Sequence, residues 1–141
     1  EAGFIVDSKN LNRAAQSSKL IAAKSSEKDI AFIESNKIKI IYGFEEINRK
    51  DYLHQRASGL NQVLCLAAKK HNVAMGFSYS SILSPDKKSA SIIMGRMMQN
   101  ISLCRKYKNK IITGCFSNNP FHLRNPNDIE SLFALFGMIK K

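Results

Sequence analysis

The feature that most constrains this chain is a repeated switch of hydrophobic period, shown once in full by "SGLNQVLCLAAKKHNVAMGFS", residues 58 to 78. Leu60, Val63, Leu64, Ala67 and Ala68 recur at i, i+3, i+4, i+7 and i+8, one apolar stripe on a helix that Ser58 is placed to cap. Lys69, Lys70 and His71 then set positive groups against the negative helix end. Asn72 turns the chain. Val73 to Phe77 is a mostly apolar run of the kind a parallel strand, covered on both faces, requires.

The same alternation runs through the whole sequence. Strands are expected at Gly3 to Val6, Leu20 to Ala23, Ile38 to Gly43, Val73 to Phe77 and Lys110 to Gly114. Helices are expected near residues 9–17, 27–36, 59–71, 89–107 and 127–136. Strands separated by helices make βαβ units and a parallel sheet with right-handed crossovers, so the class is α/β. Ile93, Met94, Met97, Ile101 and Cys104 form the stripe of the fourth helix, its methionines read as core filler. The fifth is punctuated by Asn127 as cap, Asp128 in the first turn, Glu130 three residues after the cap, and Gly137 beyond the end. With 141 residues and 44% hydrophobic side chains, residues 1–141 are expected to form one domain. Five strands cannot close an eight-stranded barrel, so a partner or further sequence completes the sheet, or the sheet is open.

The strand ends, where α/β proteins carry their chemistry, are poor in reactive groups. Gly76 to Ser80 holds no carboxylate, histidine or cysteine. His54, His71 and His122 show no ligand spacing, and Cys65, Cys104 and Cys115 form no C-x-x-C pair, so neither a zinc site nor a disulfide framework is expected. Cys65 and Cys104 read as core thiols. Glu45 and Glu46, just past a strand, are the best carboxylate pair, but adjacent residues diverge and a solvated loop is the expected setting. No nucleotide-binding or nucleophile motif is present, so no catalytic residue, metal or cofactor is expected. No apolar run reaches membrane-spanning length and no secretory pattern is seen at the start of the sequence, so a cytoplasmic protein is expected.

Charge is the positive signal. The net charge is +11, and residues 52–141 carry thirteen Lys/Arg against only Asp86, Asp128 and Glu130. Such asymmetry points to a polyanionic partner, nucleic acid before anionic lipid. Arginines in the loops 44–58 and 115–126 are the stronger candidates, because guanidinium forks clasp phosphates and both loops leave the same end of the sheet.

The stretches "INRKDYLHQRASGLNQVLCLAAKKHNVAMGFSYSSIL", "GRMMQNISLCRKYKNKIITGCFS" and "HLRNPNDIESLFALFGM" resemble the archaeal ribonuclease P protein component 3 family over about residues 48–138. The resemblance implies a TIM-barrel-like parallel sheet surrounded by helices, related to metal-dependent phosphoesterases without their metal ligands. It implies a partial barrel, lacking the family's first one or two βα units. It also implies a non-catalytic subunit of ribonuclease P, whose RNA removes the 5′ leader from precursor tRNA. Implied partners are that RNA, precursor tRNA and ribonuclease P protein component 2, two copies of each protein. Carried over by position, the RNA-binding residues are Arg49 or Arg56, Lys106 and Arg124. Two other readings stand beside it: a phosphoesterase-like enzyme using Glu45, Glu46 and His54, and a general RNA-binding structural protein. For Arg124 the plain alternative to RNA contact is a surface ion pair with Asp128 or Glu130.

Overall fold

The computed structural model describes residues 4–6, 11–17, 20–83, 86–117 and 119–138. Five parallel strands form one sheet: β1 (Phe4–Val6), β2 (Ile21–Lys24), β3 (Ile40–Tyr42), β4 (Ala74–Ser78) and β5 (Ile111–Gly114). The helices between and after them are α1 (Leu11–Ser17), α2 (Asp29–Glu34), α3 (Gln62–Lys70), α4 (Lys87–Tyr107) and α5 (Pro126–Leu135). All ten elements expected from the sequence are present. Gly3 and the expected start of the first helix lie outside the described residues.

Strand order in space equals strand order in the chain, so every neighbour is reached by one βαβ crossover and the sheet has no switch point. That excludes a doubly wound sheet, whose order must reverse. Side chains of one sheet face, Ile21, Ala23, Ile41, Met75 and Phe77, share a core with Phe32 and Ile33 of α2, Leu64, Cys65 and Ala68 of α3, Met97, Ile101 and Cys104 of α4, and Phe133 of α5. The other face carries a smaller cluster, Ala22, Ile40, Tyr42 and Ala74, with Ile112 and Phe116 against it. Helices packed on one face, with only this smaller cluster on the other, make the sheet an arc of a barrel. At its mouth Tyr42 and Phe116 stack, ring centroids 4.7 Å apart. They do so over Gly76, where a Cβ would come within 2.8 Å of Tyr42 Cβ and 3.3 Å of the Phe116 ring.

Two helix starts differ from the expectation. Asn61, not Ser58, caps α3: its Oδ1 accepts from the Leu64 N–H at 2.9 Å. Ser58 is drawn away to donate to Asn100 Oδ1 at 2.6 Å. Likewise Asn125, not Asn127, caps α5, and Pro126 takes the first helical position, where its missing N–H costs nothing. Gly137, with φ of 100°, ends that helix as expected. Asp86 caps α4 through the Lys88 and Ser89 N–H groups. Cys65 and Cys104 are free and buried in the main core, where the hydrogen bond with Cys65, and secondly burial, push the Cys104 thiol far up.

Candidate nucleic-acid interface

The segment from Phe44 to Ser58 leaves the carboxyl end of β3 with only one short 3₁₀ turn of its own, Phe44–Glu46. A few of its other backbone groups pair within the segment, and the rest need partners from elsewhere. Arg96, in the middle of α4, supplies partners for three carbonyls. Its Nε donates to Asp51 Oδ1 at 2.9 Å, Nη1 to the carbonyls of Glu45 and Ile47 at 3.0 and 2.6 Å, and Nη2 to the Arg49 carbonyl at 2.5 Å. The residue is only 5% exposed. A guanidinium out of water costs several kcal/mol unless its donors are satisfied, and here three carbonyls and a carboxylate satisfy them.

Gln99, three residues along α4, grips the far end of the same loop. Its side-chain amide accepts from the Arg56 N–H and donates to the Arg56 carbonyl, both at 3.0 Å. Gly95 completes the arrangement, because the Arg56 guanidinium lies across it, 2.4 Å from where a Cβ would stand. Asp51 binds the Ala57 N–H at 2.8 Å and faces both Arg96 and Arg56, at 2.8 and 3.5 Å. Partial burial pushes its carboxyl up, but that N–H bond and the two guanidinium groups together hold it below the usual range. The segments containing "INRKDYLHQRASG" and "GRMMQN" are thus two halves of one structure.

The four candidate cations occupy different settings. Arg49 and Arg56 are exposed on the braced loop, Arg56 tied to Asp51 and Arg49 using only its backbone. Lys106, near the end of α4, borders a groove of about 410 Å³ shared with Gln55, Leu60 and Gln99, which links it to that loop. Arg124 stands apart. Its Nη1 donates to the carbonyls of Phe121 and Leu123 at 3.0 and 2.8 Å, and its guanidinium lies 5.8 Å from the Tyr79 ring centroid. It takes these partners in place of Asp128 or Glu130. Among the described residues, no hydrogen bond or ion pair joins Arg124 to the other three.

The residues of the enzyme alternative part company. Glu45 is fully buried, not in a solvated loop, and neither carboxylate oxygen has a hydrogen-bond partner. Burial, and secondarily Glu46, push its carboxyl up to about 7 against the opposing pull of its own backbone N–H and Lys24. Glu46 turns outward to pair with Lys24 and accept from Ser81. His54 is exposed on the loop. Among the described residues no three His, Cys, Asp or Glu side chains come together as metal ligands. Reading the sequence missed the roles of Arg96, Gln99 and Asn100. The available signal was that polar side chains beside Met97 and Ile101, on the buried side of a helix, must have partners.

A barrel-type arc of βα units, with a braced basic loop at its strand ends, defines a TIM-barrel-like scaffold. The chain belongs to the ribonuclease P subunit p30 family, whose model matches residues 7–141. It is similar to ribonuclease P protein component 3 of Methanococcoides burtonii, 33% identical over 85 residues, covering 60% of this chain and 35% of the relative. The corresponding protein of Methanothermobacter thermautotrophicus is 24% identical over 115 residues, covering 78% and 47%. The chain therefore spans less than half the length of these relatives. Its fold is similar to a chain in the cryo-EM structure of archaeal ribonuclease P with mature tRNA, at a TM-score of 0.75 and 20% identity, covering 95% of this chain and 58% of that one.

Proposed function

We propose that this chain is a non-catalytic protein subunit of ribonuclease P that supports the catalytic RNA in removing the 5′ leader from precursor tRNA. Family membership supports the assembly, and the site supports the role. Arg96 braces a loop bearing Arg49, Lys50 and Arg56, while the best carboxylate pair is split between core and surface. The observation that carries the reading is this meeting of two of the stretches that resemble the family, around Ile47–Gly59 and Gly95–Asn100, in one basic surface.

In this reading the direct partners are the ribonuclease P RNA and, through it, precursor tRNA. Protein component 2 is the proposed protein partner, with two copies of each, and the cytoplasm the proposed location. No helix among the described residues is long and apolar enough to cross a membrane. The test is reconstitution: precursor tRNA cleavage by the RNA and its other proteins, with and without this chain. Addition should raise cleavage, and the chain's RNA affinity should fall steeply with salt as counterions are released. Cleavage by the chain without RNA, or no gain on adding it, would sink the proposal.

A further inference from the structure

The braced loop holds out two side chains that folding does not explain. Tyr52 is 76% exposed and Leu53 91% exposed, although each could bury apolar area in a mobile loop that collapsed onto the protein. Collapse is prevented: Asp51 is fixed by Arg96 and the Ala57 N–H, and the Tyr52 N–H donates to the Gln55 carbonyl at 2.9 Å. With Arg49, Lys50, Gln55 and Arg56 these residues border an open cavity of about 790 Å³. The side chains of Arg49 and Lys50 make no ion pair or hydrogen bond to the described residues, and the charge of Asp51 is taken up by Arg96 and Arg56. What remains is an exposed phenol ring beside two uncommitted cations.

We propose that Tyr52 is a stacking platform for one unpaired RNA base, with Arg49 and Lys50 holding the phosphates beside it. The inference rests on the RNA-binding reading above and deepens it, from a basic surface to a site for single-stranded nucleotide. A flat ring with few rotatable bonds loses little entropy on stacking, and every base has a face to offer. A base inside a duplex has none free, so the site prefers single strands. Arg56, committed to Asp51 and lying across Gly95, positions the loop.

The chain has no tryptophan, so Tyr52→Trp is a unique fluorescent reporter. The full chain is titrated with an oligoadenylate of about 8 nucleotides and with a duplex of matched length. Quenching by the single strand and little by the duplex is expected. Tyr52→Ala should bind the single strand on the order of 5- to 150-fold more weakly, with an unchanged slope of log affinity against log salt, and Tyr52→Phe should restore binding. The double change Arg49→Ala, Lys50→Ala should instead lower that slope by about 1.4. Wild-type affinity in Tyr52→Ala, with no quenching of the Trp reporter, overturns the platform while leaving RNA binding by the chain intact. If Tyr52→Ala weakens association with protein component 2 and not with RNA, the loop is a protein contact and the platform is again overturned. A wild-type chain that binds no RNA at low salt fails at the earlier step, the proposed function itself.

Discussion

The two loops that leave the carboxyl ends of β3 and β5 both carry exposed arginines, yet the arginine-bearing stretches are held by opposite means. The 44–58 loop is fixed by side chains 42 to 51 residues distant in sequence: Arg96, Gln99 and Asn100 of α4. The loop after β5 is anchored at its start, where the Cys115 carbonyl accepts from Ser78 Oγ at 2.9 Å and Phe116 stacks on Tyr42, but its arginine-bearing end, residues 119–124, is held by near neighbours. Ser117 bonds His122 Nδ1 at 2.9 Å, Asn119 caps the turn Pro120–His122, and Arg124 folds back onto its own carbonyls. A loop held from the core can open only if a buried charge loses its partners. A stretch held by neighbours can rearrange alone, since its bonds are local and each is worth about 1 kcal/mol.

Breaking the long-range brace should have the largest effect. Arg96→Met keeps most of the volume but leaves three carbonyls and Asp51 without their donor, at a cost of about 3–5 kcal/mol. In thermal unfolding Tm should fall by about 10 °C or more, and trypsin should cut at Arg49, Lys50 or Arg56 well before it cuts elsewhere. A variant that melts like the wild type and resists trypsin would show that the loop does not depend on α4.

The next effect sharpens the contrast by pH. Glu45 opens the braced segment, and its carboxyl lies near 7 when folded against 4.5 as the ordinary value, so the folded state binds the extra proton. Stability from this group is therefore full below about 4.5 and lost as pH rises through about 7. Glu45→Gln has no such dependence. In urea unfolding at pH 5 and pH 8, the difference between variant and wild type should move in the variant's favour by roughly 2–3 kcal/mol. Parallel pH curves would mean that a cation or solvent reaches this carboxylate.

The locally held stretch should respond least. Arg124→Ala removes two exposed bonds and a contact with Tyr79, and stability should drop by less than about 1 kcal/mol. Hydrogen exchange should quicken within residues 119–124 and nowhere in α4. A loss above about 2 kcal/mol would erase the distinction between the loops.

The sequence was most legible where period decides structure. Ile21, Ile41 and Met75 on strands, and Leu64, Met97, Ile101 and Phe133 on helices, all sit in the core their spacing assigns. Boundaries moved where a side chain had a better distant partner, as Ser58 found in Asn100. The site was half legible. That the arginines of 44–58 belong to one loop follows from the chain itself, but which is free follows from Asp51, Gly95 and Gln99, and two of these three lie on another element. Glu45 was misplaced for the same reason. Hydrophobic pattern does not show a carboxylate turned inward without a partner, and only the folded chain does so.

The distance in sequence between Asp51 and Arg96 also bears on how the chain is made. Forty-five residues separate them. A ribosome adding about 5–20 residues per second emits Arg96 roughly 2–9 s after Asp51. Through that interval the nascent 44–58 segment has no Arg96 to close on, and its basic and aromatic side chains travel without that brace on a growing chain. Silent codon changes within α3 and β4 that lengthen the delay would extend this window, during which a chaperone or an RNA can reach the segment, without altering the finished protein.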